Sequence, residues 1–210
     1  GGNEDAYQEF RLVAEKYTDS EFAPEALFRA GECLARMNRT EEAGKVFEAF
    51  AMKYPDNILA EQAVMRVGDA QFASAAFAQA IERYKKILES SPEPGIEEQT
   101  LYRMAITYHN MQNYQASADV FRQLLQKHPQ SAHVAEAHLR IGDFLLRDGN
   151  QAVESIDEYQ AAFDGDPKGA YASRALKGLA LARYEIDDKE GAAQLFSRLI
   201  TEYPTEKLNE

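Results

Sequence analysis

Four histidines, one cysteine and an excess of carboxylates are the groups through which this chain could do chemistry. Their spacing forms no reaction centre. His133 and His138 lie five residues apart, about 140° off a common helix face, and neither they nor His109 and His128 make a metal pair or a His-Glu-x-x-His motif. Asp164-Gly165-Asp166-Pro167 begins like a calcium loop, but Lys168 stands where the third oxygen ligand belongs and Ala175 where the bidentate Glu belongs. Cys33 has no neighbouring His in the sequence and reads as a small core residue. No glycine-rich phosphate loop or nucleophile elbow occurs in the sequence, and nothing selects two of the carboxylates as a glycoside-cleaving pair. The chain is therefore expected to be no enzyme, and to use no metal and no cofactor.

One charged pattern does recur. Arg29, Arg66, Arg103 and Arg140 repeat at a spacing of 37. Each has Glu25, Gln62, Gln99 or Glu136 four residues earlier, and three have Glu32, Asp69 or Asp143 three residues later. These are helix-face pairing distances, so the column reads as a structural ladder, with an anion site as its alternative. The net charge of −12 would repel a phosphate backbone, which excludes nucleic acid as an expected partner. The 210 residues, 45% of them apolar, are enough to bury a core without metals or disulfides.

What positions these residues is a repeat. Pro55, Pro92, Pro129, Pro167 and Pro204 follow one another at 37, 37, 38 and 37 residues. A small residue precedes each by 24 or 25 positions: Gly31, Gly68, Ala105, Gly142 and Ala180. A second small column (Ala43, Ala80, Ser117, Ser155, Ala192) lies twelve before the proline, followed four later by Phe47, Tyr84, Phe121, Tyr159 and Phe196. Apolar residues between them recur at threes and fours, so each unit reads as two amphipathic helices that pack through the small positions around the aromatic. Proline stops the second helix. A hairpin alone cannot cover its apolar side, and a period of this length implies stacked hairpins.

By register the helices are expected at 4–17, 22–37, 40–53, 58–73, 77–90, 95–111, 114–127, 132–147, 151–164, 169–186 and 189–202. Thr40 offers an N-cap for the third. The extra residue of the fourth interval belongs in the turn Arg147-Asp148-Gly149-Asn150. No linker or low-complexity tract divides the chain. It is read as one array over 1–210: a half repeat at 3–20, then repeats 21–57, 58–94, 95–131, 132–168 and 169–205.

Leu27, Gly31, Leu34, Ala43, Phe47 and Pro55, with their spacings, resemble the tetratricopeptide repeat (TPR), and the match extends with variations through all five units. His138 replaces Leu27 in one unit, Gln71 and Arg183 replace Leu34, and Ser117 and Ser155 replace the alanine. The resemblance implies an all-α, right-handed α-solenoid (a TPR superhelix) of about five and a half hairpins. The period exceeds the family's usual one by three residues, in the loop after Tyr54-Pro55. Such a loop is similar to those of the bacterial cell-envelope branch, which includes the periplasmic Tol–Pal cell-division coordinator and the outer-membrane assembly lipoprotein. Periplasm or cell envelope is the location this resemblance implies, with cytoplasm as the alternative; the single cysteine chooses neither. No stretch is apolar enough to cross a membrane, so no membrane insertion is expected of this segment.

The resemblance also implies a function, that of a non-catalytic protein–protein interaction scaffold holding a partner segment in a concave groove lined by first helices. Three columns would line it: Phe28, Met65, Tyr102, Leu139 and Lys177; Glu32, Asp69, Ile106, Asp143 and Leu181; and Ala35, Phe72, His109, Leu146 and Tyr184. The Lys, Arg and Asn of family members that clamp a terminal carboxylate are missing from the first two, so the expected partner is a protein or peptide with basic and apolar residues. For Phe28, Met65 and Tyr102 the alternative is that they are packing residues. Gly1-Gly2 reads as a cloning remnant, and Ala6, Phe10 and Thr18 align with the second helix of a unit lacking its first. Ala192, Leu195, Phe196, Leu199 and Ile200 make the last helix as apolar as an internal one. A piece of a longer array is therefore expected, and the alternative function is a structural spacer, or a homo-oligomer joined through uncapped ends.

Overall fold

Amphipathic runs separated by short polar turns and proline-bearing loops fold here as successive helical hairpins. A computed structural model describes residues 2–204 and contains, among them, helices and no strands. In order they are α1 (Gly2–Lys16), α2 (Ala23–Arg36), α3 (Thr40–Lys53), α4 (Ala60–Ala73), α5 (Phe77–Glu89), α6 (Pro94–Asn110), α7 (Tyr114–Lys127), α8 (Val134–Arg147), α9 (Ala152–Gly165), α10 (Ala172–Glu185) and α11 (Lys189–Glu202). The fold class among the described residues is all-α, as expected. The expected helices 40–53, 114–127 and 189–202 coincide with α3, α7 and α11. Thr205, the last residue of the fifth repeat as read from sequence, lies outside the described residues, as does Gly1.

First helices begin later than periodicity suggests, because the long loops fold into two consecutive turns. Asn57 N–H donates to Tyr54 O at 3.1 Å and Ala60 N–H to Asn57 O at 2.8 Å. The same pair recurs at Tyr17, Ser20 and Ala23, at His128, Ser131 and Val134, and at Asp166, Gly169 and Ala172. Asn57 Oδ1 and Ser131 Oγ each accept from the backbone two residues on, which closes the turn locally. The loop before α6 differs: Pro94 occupies the helix's first turn, where its missing N–H costs nothing.

Within hairpins the chain reverses on one left-handed residue, Asn38, Ala75, Gln112, Asn150 or Asp187, with φ between 49° and 65°. The extra residue falls in the turn between α8 and α9, as expected. Thr40 is no cap: α3 has no side-chain cap, and Thr40 Oγ1 instead faces Asn38 O at 3.4 Å. Asn113 and Asp188, one residue earlier in their own units, do cap α7 and α11. A β-carbon in left-handed backbone costs about 1–2 kcal/mol, so Ala75→Gly should stabilise by roughly 1 kcal/mol and raise the melting temperature by about 2–4 °C. A lower melting temperature would show that the turn is relaxed with alanine.

The helices form two compact units that divide between Met111 and Gln112. In the first, Phe28, Phe47 and Phe50 build the centre of the core, with ring centroids 5.2 and 5.6 Å from Phe28. A β-carbon on Gly31 would lie 2.8 Å from the Phe47 ring, and one on Gly68 2.6 Å from Tyr84. The recurrent small residue is thus the seat of the recurrent aromatic. In the second unit Tyr159 is wedged between two glycines, Gly142 and Gly178, at 3.0 and 2.3 Å by the same measure. Around it pack Leu139, Phe163, Leu176 and Leu179. Ala192 and Leu199 of α11 are buried within this unit, so the apolar side read as open for another chain is partly inward-facing; Ile200 is the residue that projects. Cys33 is buried, and no helix among the described residues is long and apolar enough to cross a membrane.

Candidate functional site

Three of the residues expected to line a groove are closed off. Phe28 is 2% exposed, Met65 and Leu139 0%, and none presents a surface to a partner. The physical reason is visible at Phe28, whose ring meets both aromatics of the following second helix. Three residues before the small position, the side chain turns into the hairpin instead of away from it. Tyr102 and Lys177 in the same column are half-exposed, as are Phe72, Ile106 and His109 in the first unit. Tyr184 is exposed in the second.

In the first unit these side chains converge. Phe72 of α4 and Tyr102 and Ile106 of α6 line a cavity of about 70 Å³ with Tyr84 and Arg103. A larger cleft of about 480 Å³ opens over α2 and α4, with Glu32, Arg36, Arg66 and Asp69 as its charged lining and Ala43, Phe47 and Ala70 among the rest. Glu32 and Asp69, expected together, are therefore brought to one cleft.

Both carboxylates are already engaged. Glu32 accepts from Arg29 at 2.8 Å and lies 3.9 Å from Arg36. Asp69 accepts from Arg66 at 3.4 Å, from Arg103 at 3.0 Å and from the Tyr84 hydroxyl at 3.1 Å. In the second unit Asp143 accepts from Tyr159 at 2.9 Å and Arg174 at 3.2 Å. Burial, then the neighbouring Asp charge, pushes the hydroxyls of Tyr84 and Tyr159 above the usual tyrosine range, so both stay protonated donors. The arginine ladder holds at Arg29, Arg66 and Arg140, whose partners are the expected acids. Arg103 departs from it: its ion pair is with Asp69 of the preceding hairpin, not Gln99 in its own helix.

Two features escape a column-by-column reading of the sequence. Where the second-helix aromatic is Tyr84 or Tyr159, the position after the small residue is Asp69 or Asp143; where it is Phe121 or Phe196, that position is Ile106 or Leu181, and in the remaining unit Phe47 goes with Glu32. Pairing the two columns would have found the hydroxyl–carboxylate bonds. His138, which the sequence offers as an unsupported metal ligand and as a replacement for leucine, places Nδ1 2.7 Å from Glu158 Oε2 and joins α8 to α9. Among the described residues no three His, Cys, Asp or Glu side chains come together as a metal site.

Recurrent seats for aromatics, left-handed turns and small-residue helix contacts are the geometry of a repeat scaffold, and comparison with known proteins agrees. The sequence profile described as a tetratricopeptide repeat-like domain matches residues 25–183, and one described as a tetratricopeptide repeat matches 175–205. No curated protein sequence matches. Among solved structures, a MamA chain from Desulfovibrio magneticus RS-1 that runs from residue 41 to the end is similar at 18% identity with a TM-score of 0.66, covering 97% of this chain and 98% of that one. YrrB, described as a TPR protein with an unusual peptide-binding site, has 14% identity, a TM-score of 0.70 and coverage of 94% and 93%. A tetratricopeptide repeat protein from Parabacteroides merdae has 18% identity and a TM-score of 0.71 over 87% of this chain and 68% of that one. At these identities the likeness concerns the fold, and with the profile match over most of its length the chain belongs to the tetratricopeptide repeat-like family of protein-interaction scaffolds.

Proposed function

We propose that this scaffold binds an extended or helical segment of a partner protein on its first-helix faces, anchored in the cleft of Phe72, Tyr102 and Ile106. The observation that carries the reading is the convergence of three half-exposed apolar side chains from α4 and α6 on one small cavity. Its size suits a single aliphatic side chain, and anchors of that kind dominate peptide recognition by helical grooves. The net charge of −12 favours a segment that also carries basic residues, through the field of the whole chain rather than through Asp69, whose oxygens are occupied. Glu32 and His109 extend the proposed lining in the first unit; in the second unit, taken by itself, Asp143, Lys177 and Tyr184 are the proposed partner-facing residues. No catalytic step belongs to this role. The proposed setting is a protein complex of the bacterial envelope, on the periplasmic side, supported by the long loop after Tyr54-Pro55 and its likeness to the Tol–Pal coordinator and outer-membrane assembly repeats.

The test is selection of peptides from a random display library on the wild-type chain. Enriched sequences should combine Lys or Arg with Leu, Ile or Phe, and association should slow as salt rises. Phe72→Ala and Tyr102→Ala should each weaken such a peptide about 30-fold, the effect of an anchor worth about 2 kcal/mol. Equal binding by wild type and the double variant would sink the assignment.

A further inference from the structure

The spacing of Asp69 places it among ligand-facing acids, yet its contacts run into the protein. One oxygen accepts from Tyr84 of α5 at 3.1 Å and from Arg103 of α6 at 3.0 Å, and the other from Arg66 of its own helix α4 at 3.4 Å. A single carboxylate thus ties three helices together. We infer that Asp69 is a positioning residue: with Tyr84 and Arg103 it forms a latch that holds α6 against the α4–α5 hairpin and so fixes the cleft between Phe72 and Tyr102. The inference rests on the reading of that cleft as a binding site, because the latch matters to a partner only through the cleft it shapes.

The argument is geometric. Phe72 stands on α4, one turn from Asp69, and Tyr102 is next to Arg103 on α6, so a displacement of α6 changes the distance between the two cleft walls. Tyr84 also lines the cavity but is 1% exposed, so it acts on a bound segment through its neighbours. Charge-assisted bonds to a partly buried carboxylate are the strong members of their class, and Asp69 is only 21% exposed. The second unit repeats the device with a different arginine. Asp143 of α8 accepts from Tyr159 of α9 and from Arg174 of α10. Arg174 occupies the column of Glu25 and Gln99, not that of Arg103. The same three-helix connection thus arises from two arginine positions, which marks the connection, not the ladder, as the constant feature. The chain also contains the alternative solution: positions 106 and 121 carry Ile and Phe in place of Asp and Tyr.

Hydrogen exchange on the full chain without ligand tests the latch directly. Asp69→Ala should speed exchange of the α6 amides roughly tenfold while leaving α2 and α3 near their wild-type rates. Because this variant also loses stability, the double substitution Asp69→Ile with Tyr84→Phe, which copies the Ile and Phe combination, is the stricter probe. It should melt close to the wild type and still exchange faster in α6, and it should weaken a peptide selected on the wild type about tenfold without contacting it through Tyr84. An even rise in exchange across α2–α6, or wild-type exchange in the double variant, would overturn the latch. Failure of the wild type to bind any selected peptide would remove the reading of the cleft, while the exchange result would still stand or fall by itself.

Discussion

Gly178→Ala should destabilise the second unit by about 2–3 kcal/mol, the size of effect expected for forcing an atom into a packed core. On helix propensity alone the sign would be opposite, since alanine gains about 1 kcal/mol over glycine inside a helix. Steric contact decides the matter: the added carbon would sit 2.3, 2.5 and 2.6 Å from three atoms of the Tyr159 ring. That ring is 1% exposed, also abuts Gly142, and is tethered by its hydroxyl bond to Asp143, so it has nowhere to go. Urea denaturation followed by circular dichroism measures the change. Gly95→Ala, in a helix but with nothing within 4 Å of the new carbon, is the matched control and should be neutral or stabilising. Combining Gly178→Ala with Tyr159→Leu should recover part of the loss, because the smaller side chain vacates the ring edge. A Gly178→Ala protein as stable as the control would mean that Tyr159 does not occupy this seat.

Phe47→Ala should cost about 3–5 kcal/mol, the range for emptying a buried aromatic site. Phe47 is 1% exposed, lies against the Gly31 backbone and makes an edge contact with Phe28 at 5.2 Å. Collapse around the cavity is limited because Phe28 is already held by Phe50 on another side. Phe47→Leu should retain much of the stability, and adding Gly31→Ala to Phe47→Ala should be tolerated far better than Gly31→Ala alone, since the obstructing ring is gone. Thermal melts of the four proteins give the coupling. An additive result would contradict the aromatic seat as the unit of packing.

These two sites show unequal legibility. The seat of Phe47 on Gly31 was readable because both columns recur and glycine within a helix demands a packing reason. Gly178 was not, because its column otherwise carries arginine and the glycine looks like a lost ladder member; the reason lies in Tyr159, nineteen residues earlier in sequence. The left-handed turns were hidden for a related reason, since Ala75 and Gln112 have no preference for the conformation that the hairpin imposes on them. In the expected groove, one column mixed two environments. Phe28, Met65 and Leu139 turn inward, whereas Tyr102 and Lys177 remain reachable, and identical register cannot separate them. Glu32 and Asp69 do line one cleft, but the partners of the acids depend on pairs of columns, Asp69 with Tyr84 and Asp143 with Tyr159, which single-column reading does not compare.

The claim that a partner segment seats between α4 and α6 is tested most directly by methyl NMR of the isoleucine-labelled chain titrated with a peptide selected on the wild type. Ile106 lines the cavity and should show the largest shift, while the buried Ile87 and the loop residue Ile58 stay near their free positions. A silent Ile106 with the principal shifts elsewhere would contradict the account.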